Sequence, residues 1–354
     1  MTELEKKIKH YADAYYSGKE EISDAEYDEL IAELRAENPE SELLDTVTGE
    51  EEQIEGFPKI SHNLVTGTLR KCRNVEEFSE WFSKHNFGQF SVQYKLDGNS
   101  ILLEYSKGVL TRVSTRGDGF TGYDITSNGL KFQNVPHIID TSFTGSIRGE
   151  VLLFHDDFKK YYGDMKNCRN AAAGIVKHLD GSGCERLRMI CYDIYDENGN
   201  VDSTETAKIS FLKANGFAVP EWMTTYNFDD IIKFREETYK LRESGGLQYD
   251  IDGIVIKQEK CDKEDLKRKC PLNNCAIKFE LAEADTVLRK IVWQLHGNIF
   301  SPVGIFDPVE LNGTTVSRAT LCNINKMEEL GVQVGKKCVL IKAGEIIPRL
   351  IKVY

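Results

Sequence analysis

Apolar spacing changes period along this chain, and that change constrains the fold more than any single motif. Up to residue 85 the spacing is helical. Leu4, Ile8, Tyr11 and Tyr15 recur on one face, and Ser23-Asp-Ala-Glu26 opens a second helix as a capping box. That helix continues through Tyr27, Leu30, Ile31 and Leu34 and stops near Asn38-Pro39. An acidic linker (Glu50, Glu51, Glu52, Gln53) runs to about Pro58. A third helix fits Asn74 to His85, with Asn74 and Glu77 as cap pair and Val75, Phe78, Trp81 and Phe82 as its apolar face. From Phe90 alternation takes over: Phe90, Val92 and Tyr94 against Ser91, Gln93 and Lys95, with turns at Gly98, Gly108 and Gly117-Asp-Gly119. Ser146–Phe154, Met189–Tyr195, Ile251–Gln258 and Ala276–Leu281 also read as strands, and residues near Thr204–Asn215 and Phe228–Arg242 as helices. The tail holds glycine-punctuated β segments (Leu288–Leu295, Pro302–Val309, Lys337–Lys342, Ile346–Tyr354), which suit a small barrel of the OB type. The fold class expected is therefore α+β: a helical hairpin at 1–58, an antiparallel-sheet domain at 59–282 and a barrel at 283–354.

Composition narrows the class. The 354 residues are 40% hydrophobic and 29% charged, which fits a globular chain with two or three cores. No apolar run approaches the roughly 20 residues that span a bilayer, so no membrane partner is expected, and MTELEKKIKH is not a signal peptide. Nine cysteines at irregular spacing suit the reduced thiols of a cytosol. Cys270 and Cys275 lack a second pair, so no zinc is expected. The net charge is −12, with 57 acidic and 45 basic residues; residues 1–60 hold 18 of the acidic and 6 of the basic ones. The remainder is thus neutral and can carry a basic groove for a phosphate backbone.

Five segments carry chemistry. Lys95-Leu96-Asp97-Gly98 ends an alternating strand, which puts Lys95 on the face opposite Phe90, Val92 and Tyr94. A lysine attacks phosphorus only when deprotonated, against a reference pKa near 10.4, and neighbouring cations or a metal ease that step. Thr115-Arg-Gly-Asp-Gly119 is a glycine-flanked turn, and Ile147-Arg-Gly-Glu-Val151 puts Arg148 and Glu150 on one strand face. Asp252-Gly-Ile-Val-Ile-Lys257 has a charge at each end, though simple alternation sends those charges to opposite faces. Ala276-Ile-Lys-Phe279 sets Lys278 opposite Ile277 and Phe279. Each alone reads equally well as a hairpin turn or exposed strand face. Together they are the inventory for holding a nucleotide's ribose and phosphates while a lysine attacks.

In this order, and with Asn167-Cys-Arg-Asn-Ala-Ala-Ala-Gly174, Arg318-Ala-Thr-Leu321 and Ala343-Gly-Glu-Ile-Ile-Pro348, the segments resemble the NAD+-dependent DNA ligases of bacteria and their viruses over almost the whole chain. Tyr15, Tyr16, Asp24, Tyr27 and Asp28 match the segment that binds the nicotinamide mononucleotide (NMN) half of NAD+ in that family. A cationic nicotinamide is attracted to such rings and carboxylates. The resemblance implies that Lys95 attacks the α-phosphorus and carries AMP, that Arg116 and Glu150 hold the ribose, and that Gln93 lies at the adenine. Lys257 and Lys278 would neutralise the α-phosphate. Asp97 and Asp252 would organise the lysines and Mg2+ (Mn2+ as a substitute), itself held through water and phosphate. Arg169, Lys177 and Arg318 would contact DNA.

The implied substrate is nicked duplex DNA, and the implied protein is a monomer in a bacterial or virus-infected host cytoplasm. The sequence departs from the family in several places. Gln93 stands for a glutamate, Cys168 for a proline, Lys177 for an arginine, Asn273 for a tryptophan and Cys322 for a histidine, and Leu295-His-Gly-Asn298 replaces Gly-Arg-Thr-Gly. The chain stops after the barrel, so a short form without the zinc-finger, helix-hairpin-helix and BRCT domains is expected, with weaker and more salt-sensitive nick binding. The competing readings are an ATP-dependent or RNA-joining nucleotidyltransferase and a non-catalytic nick-binding module.

Overall fold

The computed structural model of the chain describes residues 2–16, 21–22, 24–38, 41, 43, 56–72, 74–85, 88–165, 167–197, 203–279, 283–296, 299–311, 314–343 and 347–354. The acidic linker at 50–53 and the glycine-bearing stretches 297–298 and 344–346 lie outside them. Two compact units result, Met1–Phe279 and Glu280–Tyr354. No described helix is long and apolar enough to cross a membrane.

The first unit opens with α1 (Glu3–Tyr16) and α2 (Asp24–Glu37), packed on each other with Ile8, Ala12 and Leu34 buried. β1 (Lys59–Ser61) and β2 (Arg70–Cys72) lead to α3 (Val75–His85). Asn74 caps this helix, its Oδ1 accepting from the Glu77 N–H at 2.9 Å, and Phe78, Trp81 and Phe82 are buried. Each such side chain stabilises by about 1.5–3 kcal/mol through burial. Then come β3 (Phe90–Leu96), β4 (Asn99–Ser106), β5 (Val109–Thr115), β6 (Thr121–Tyr123), α4 (Thr126–Gly129) and β7 (Gly145–Leu152). α5 (His155–Tyr161), α6 (Cys168–Val176), β8 (Arg188–Asp196), α7 (Glu205–Ala214), β9 (Trp222–Thr225), α8 (Phe228–Glu243), β10 (Ile251–Gln258) and β11 (Asn274–Lys278) complete the unit.

One sheet runs β2-β11-β10-β3-β9 and the other β5-β4-β7-β8, with β1 and β6 forming a small pair. β11 pairs with β2 in parallel; the other ladders of this unit are antiparallel. Phe90, Val92, Ile254, Ile256 and Ile277 pack under α3 and Ile231 of α8. The second sheet buries Ile101, Leu103, Ile147, Val151, Met189 and Cys191 against Ala171, Ala172 and Ile175 of α6 and Ile209 and Leu212 of α7. Each sheet thus spends one face on a core. The opposite faces are left for other uses.

The second unit is a closed barrel, β12-β13-β14-β16-β15, in which β12 (Glu283–His296) and β13 (Ile299–Leu311) are long. β14 (Thr314–Thr320), α9 (Ile324–Glu329), β15 (Lys337–Ala343) and β16 (Ile347–Val353) follow. Leu288, Phe306, Val316, Leu340 and Leu350 fill the interior. The long strands extend beyond the segments that alternation marks because the register shifts between Leu288 and Lys290 and between Ile305 and Val309, breaking the period. β14 escapes a sequence reading because only Val316 and Ala319 of its seven residues are buried.

Candidate active site

A cavity of about 1130 Å3 in the first unit is lined by the free faces of both sheets, slightly above the usual range of ligand cavities. Register explains which side chains reach it. Gly253 pairs with Lys95 on one side and Lys278 on the other, and Lys257 pairs with Ser91 and Asn274. Positions 253, 255 and 257 share a face, so Lys257 looks the same way as Lys95 and Lys278, while Ile254, Ile256 and Ile277 enter the core.

Simple alternation would turn Asp252 to the core side. Instead Ile251 pairs with Leu96 and Gly253 with Lys95, so Asp252 is an extra residue in the ladder. This bulge delivers its carboxylate to the cavity and corrects the opposite-face reading of Asp252 and Lys257. Gly253 permits the close strand approach: a Cβ there would lie 2.2 Å from the Ile277 carbonyl oxygen. The Asp252 oxygens lie 2.8 and 2.9 Å from Lys95 Nζ, and Oδ2 is 3.6 Å from Lys278 Nζ. One carboxylate holds two ammonium groups.

The opposite sheet has a bulge of its own. Arg148 pairs with Asp193 and Gly149 with Cys191, so Tyr192 is supernumerary, and both Tyr192 and Asp193 line the cavity. The Tyr192 hydroxyl donates to Glu150 Oε1 at 3.1 Å, and Arg148 and Lys257 each sit 5.8 Å from the Tyr192 ring centre. Burial pushes the Glu150 carboxyl above the usual range, against the pull of Arg148 and Arg116. Arg116 also lines the cavity, as does Gln93, which is buried with no partner on its Oε1 among the described residues.

Lys257 belongs to a buried ionic cluster. Its Nζ is 2.8 Å from Glu205 Oε2 and 4.0 Å from Asp193 Oδ2. Lys208, fully buried, lies 2.7 Å from Asp193 Oδ1 and 2.9 Å from Glu205 Oε1. Burial opposes charge on Lys208, but Asp193 and Glu205 outweigh it and hold its pKa well above the ordinary lysine value. Against the same burial, Lys208 and Lys257 hold both carboxyls below theirs. Two positive and two negative charges cancel there. Elsewhere, Arg169 Nη1 meets Asp97 Oδ1 at 2.7 Å, and the Asn99 side chain donates to the Arg169 carbonyl at 3.3 Å.

Comparison with known proteins decides the family. The model of the NAD-dependent DNA ligase adenylation domain matches residues 54–282, well over half of the chain. The chain belongs to the NAD-dependent DNA ligase family. The OB-fold domain model of these ligases matches residues 285–354. The DNA ligase of Treponema denticola is 40% identical over 366 residues, covering 99% of this chain and 56% of the relative. That of Treponema pallidum is 36% identical and covers 99% and 44%. That of Petrotoga mobilis is 33% identical and covers 93% and 53%. The chain spans about half the length of these relatives.

Within this ligase fold, Gln93, Lys95, Arg116, Glu150, Arg169, Asp252, Lys257 and Lys278 line one cavity, together with Tyr27 and Tyr11 of the helical hairpin. The side chains of Tyr15, Tyr16, Asp24 and Asp28 lie outside the described residues. Asp97 begins the β3–β4 turn, from which its carboxylate reaches Arg169 at the start of α6. Lys177 is the C-cap of α6, at the other end from Arg169, and Arg318 is exposed on β14 of the second unit.

Tyr192, Asp193, Glu205 and Lys208 were not visible in the sequence. A bulge hides the first two from alternation, and Glu205 with Lys208 looks like an ordinary surface i,i+3 pair. The carboxylates nearest the lysines, Asp252 and Glu205, are both engaged by ammonium groups, so this donor set does not fit a protein-held Mg2+.

Proposed function

We propose that the chain is the catalytic part of an NAD+-dependent DNA ligase, and that one observation carries the reading. Lys95, Lys257 and Lys278 converge on a single cavity face, with Asp252 bridging the first and third. In this reading Lys95 Nζ attacks the α-phosphorus of NAD+; the N–P bond forms, the P–O bond to NMN breaks, and the amine loses a proton. Lys278 and Lys257 stabilise the charge on the α-phosphate oxygens, and Lys257 is held ready by Glu205. Arg116 and Glu150 take the ribose hydroxyls. Gln93 offers its unpartnered Oε1 to the exocyclic amine of adenine. Tyr11 and Tyr27, in the acidic hairpin, face the cationic nicotinamide half.

The AMP then moves to a 5′-phosphate at a nick, where the adjacent 3′-hydroxyl displaces it. Arg169, Lys177 and Arg318 contact DNA phosphates. The protein works as a monomer. The test is sealing of a nicked duplex with one nucleotide at a time. Joining with NAD+ and not with ATP is expected; joining with ATP alone, or with neither, would overturn the proposal.

A further inference from the structure

Beside the cavity, and contributing nothing to its lining, His155, Cys168 and Asp250 bring three different ligand atoms within 4.8 Å of one another. They come from three segments: His155 begins α5, Cys168 begins α6, and Asp250 lies two residues before the Asp252 bulge. His155 Nε2 is 2.7 Å from Asp250 Oδ1, and the thiol of Cys168 is buried behind them. The ring's other nitrogen, Nδ1, faces the Leu247 carbonyl at 3.1 Å. That carbonyl can only accept, so Nδ1 carries a proton and the Nε2 side is the one left for a ligand. A metal-bound imidazole has this same arrangement, its outer nitrogen donating to a backbone carbonyl.

We propose that His155 Nε2, Cys168 Sγ and an Asp250 carboxylate oxygen form a Zn2+ site with three protein ligands. Bonds of about 2.0–2.3 Å to nitrogen, oxygen and sulfur in a tetrahedral array put the ligand atoms about 3.3–3.7 Å apart. The present cluster reaches that array by opening Nε2 and Oδ1 from 2.7 Å by about half an ångström and by drawing in its widest separation, at most 4.8 Å, by about 1 Å. The ligand set is one imidazole, one thiolate and one carboxylate, whose two negative charges match the ion. Loading expels the thiol proton and the proton that Nε2 shares with Oδ1. The His155 and Asp250 side chains are 32% and 29% exposed, which leaves the fourth position to water.

A bound ion would pin the starts of two helices to the segment entering β10. The Asp250 carbonyl accepts from the Asp97 N–H at 3.0 Å, and Asp97 in turn holds Arg169. Cys168 adjoins Arg169 and Asp250 lies two residues from Asp252, so the site borders the cavity on two sides without belonging to it. The expectation of no zinc came from cysteine pairs, and a site with a single cysteine evades that count.

The experiment titrates Co2+ and then Zn2+ into the full chain without nucleotide. One equivalent of Co2+ should give a thiolate-to-cobalt charge-transfer band that Zn2+ abolishes, and excess Zn2+ should raise the melting temperature. Cys168→Ser should lose the band and the thermal shift, and His155→Gln should bind at least tenfold more weakly. No band in the unaltered chain, or an undiminished band in Cys168→Ser, which would place the metal on another thiol, overturns the proposal. If Cys168→Ser does not fold, His155→Gln decides: unchanged affinity there overturns it equally.

Discussion

At the level of single residues, Lys95 and Lys278 were legible because strict alternation fixes the face of a strand residue. Lys257 was legible as a charge, though its surroundings were not. Nothing in Glu205-Thr-Ala-Lys208 announces that both charged side chains are buried, because burial depends on which sheet the helix covers. That cluster makes a prediction. Lys208→Met removes one cation and leaves Asp193 and Glu205 with Lys257 alone, an uncompensated negative charge at a buried site. The expected cost is about 3–5 kcal/mol of stability, since breaking a buried ion pair from one side strands its partner. Urea unfolding measures it, and a loss below about 1 kcal/mol would show that the cluster is solvated or rearranges.

At the level of elements, the third helix, the hairpin of α1 and α2 and strands such as β3 follow directly from spacing. What spacing omits is irregularity. The two bulges at Asp252 and Tyr192 shift side chains to the cavity without changing any residue type, and the only local sign of the first is Gly253. Gly253→Ala should force β10 and β11 apart, because the new Cβ meets the Ile277 carbonyl at 2.2 Å. We expect a loss of about 1–3 kcal/mol and at least a tenfold fall in AMP transfer to the protein as Asp252 leaves Lys95. Thermal melts with a single-turnover adenylation assay check both, and unimpaired adenylation would mean that the bulge is dispensable.

The turn that carries Arg116 makes a pH prediction. Burial raises the Asp118 carboxyl, but the N–H groups of Thr121 and Phe120, at 2.7 and 2.8 Å, and the Thr121 hydroxyl lower it further, for a net depression. A carboxyl depressed on folding stabilises fully above its unfolded pKa, near 3.9, and loses that contribution as pH falls through the lower folded value. Asp118→Asn should therefore cost about 1–2 kcal/mol at pH 7, and its stability should converge with that of the unaltered chain below pH ~4. A difference that stays constant across that window would contradict this role.

At the level of the whole molecule, the order of segments was the most informative signal, because no single motif separates a ligase core from any other antiparallel sheet. The charge split matters at this scale too. The −12 balance is confined to residues 1–60, which also supply Tyr11 and Tyr27 to the cavity wall, and we propose that this acidic segment and the lysine-bearing sheet attract opposite ends of one ligand. NAD+ has that polarity, with a cationic nicotinamide and an anionic pyrophosphate. The cavity itself could not be read from the sequence, since it depends on two sheets turning their uncommitted faces toward each other. The most direct measurement is peptide mapping by mass spectrometry after incubation with NAD+ alone. The account predicts one AMP on the peptide containing Lys95 and none in Lys95→Ala. An adduct on another residue, or one formed with ATP but not NAD+, would contradict it.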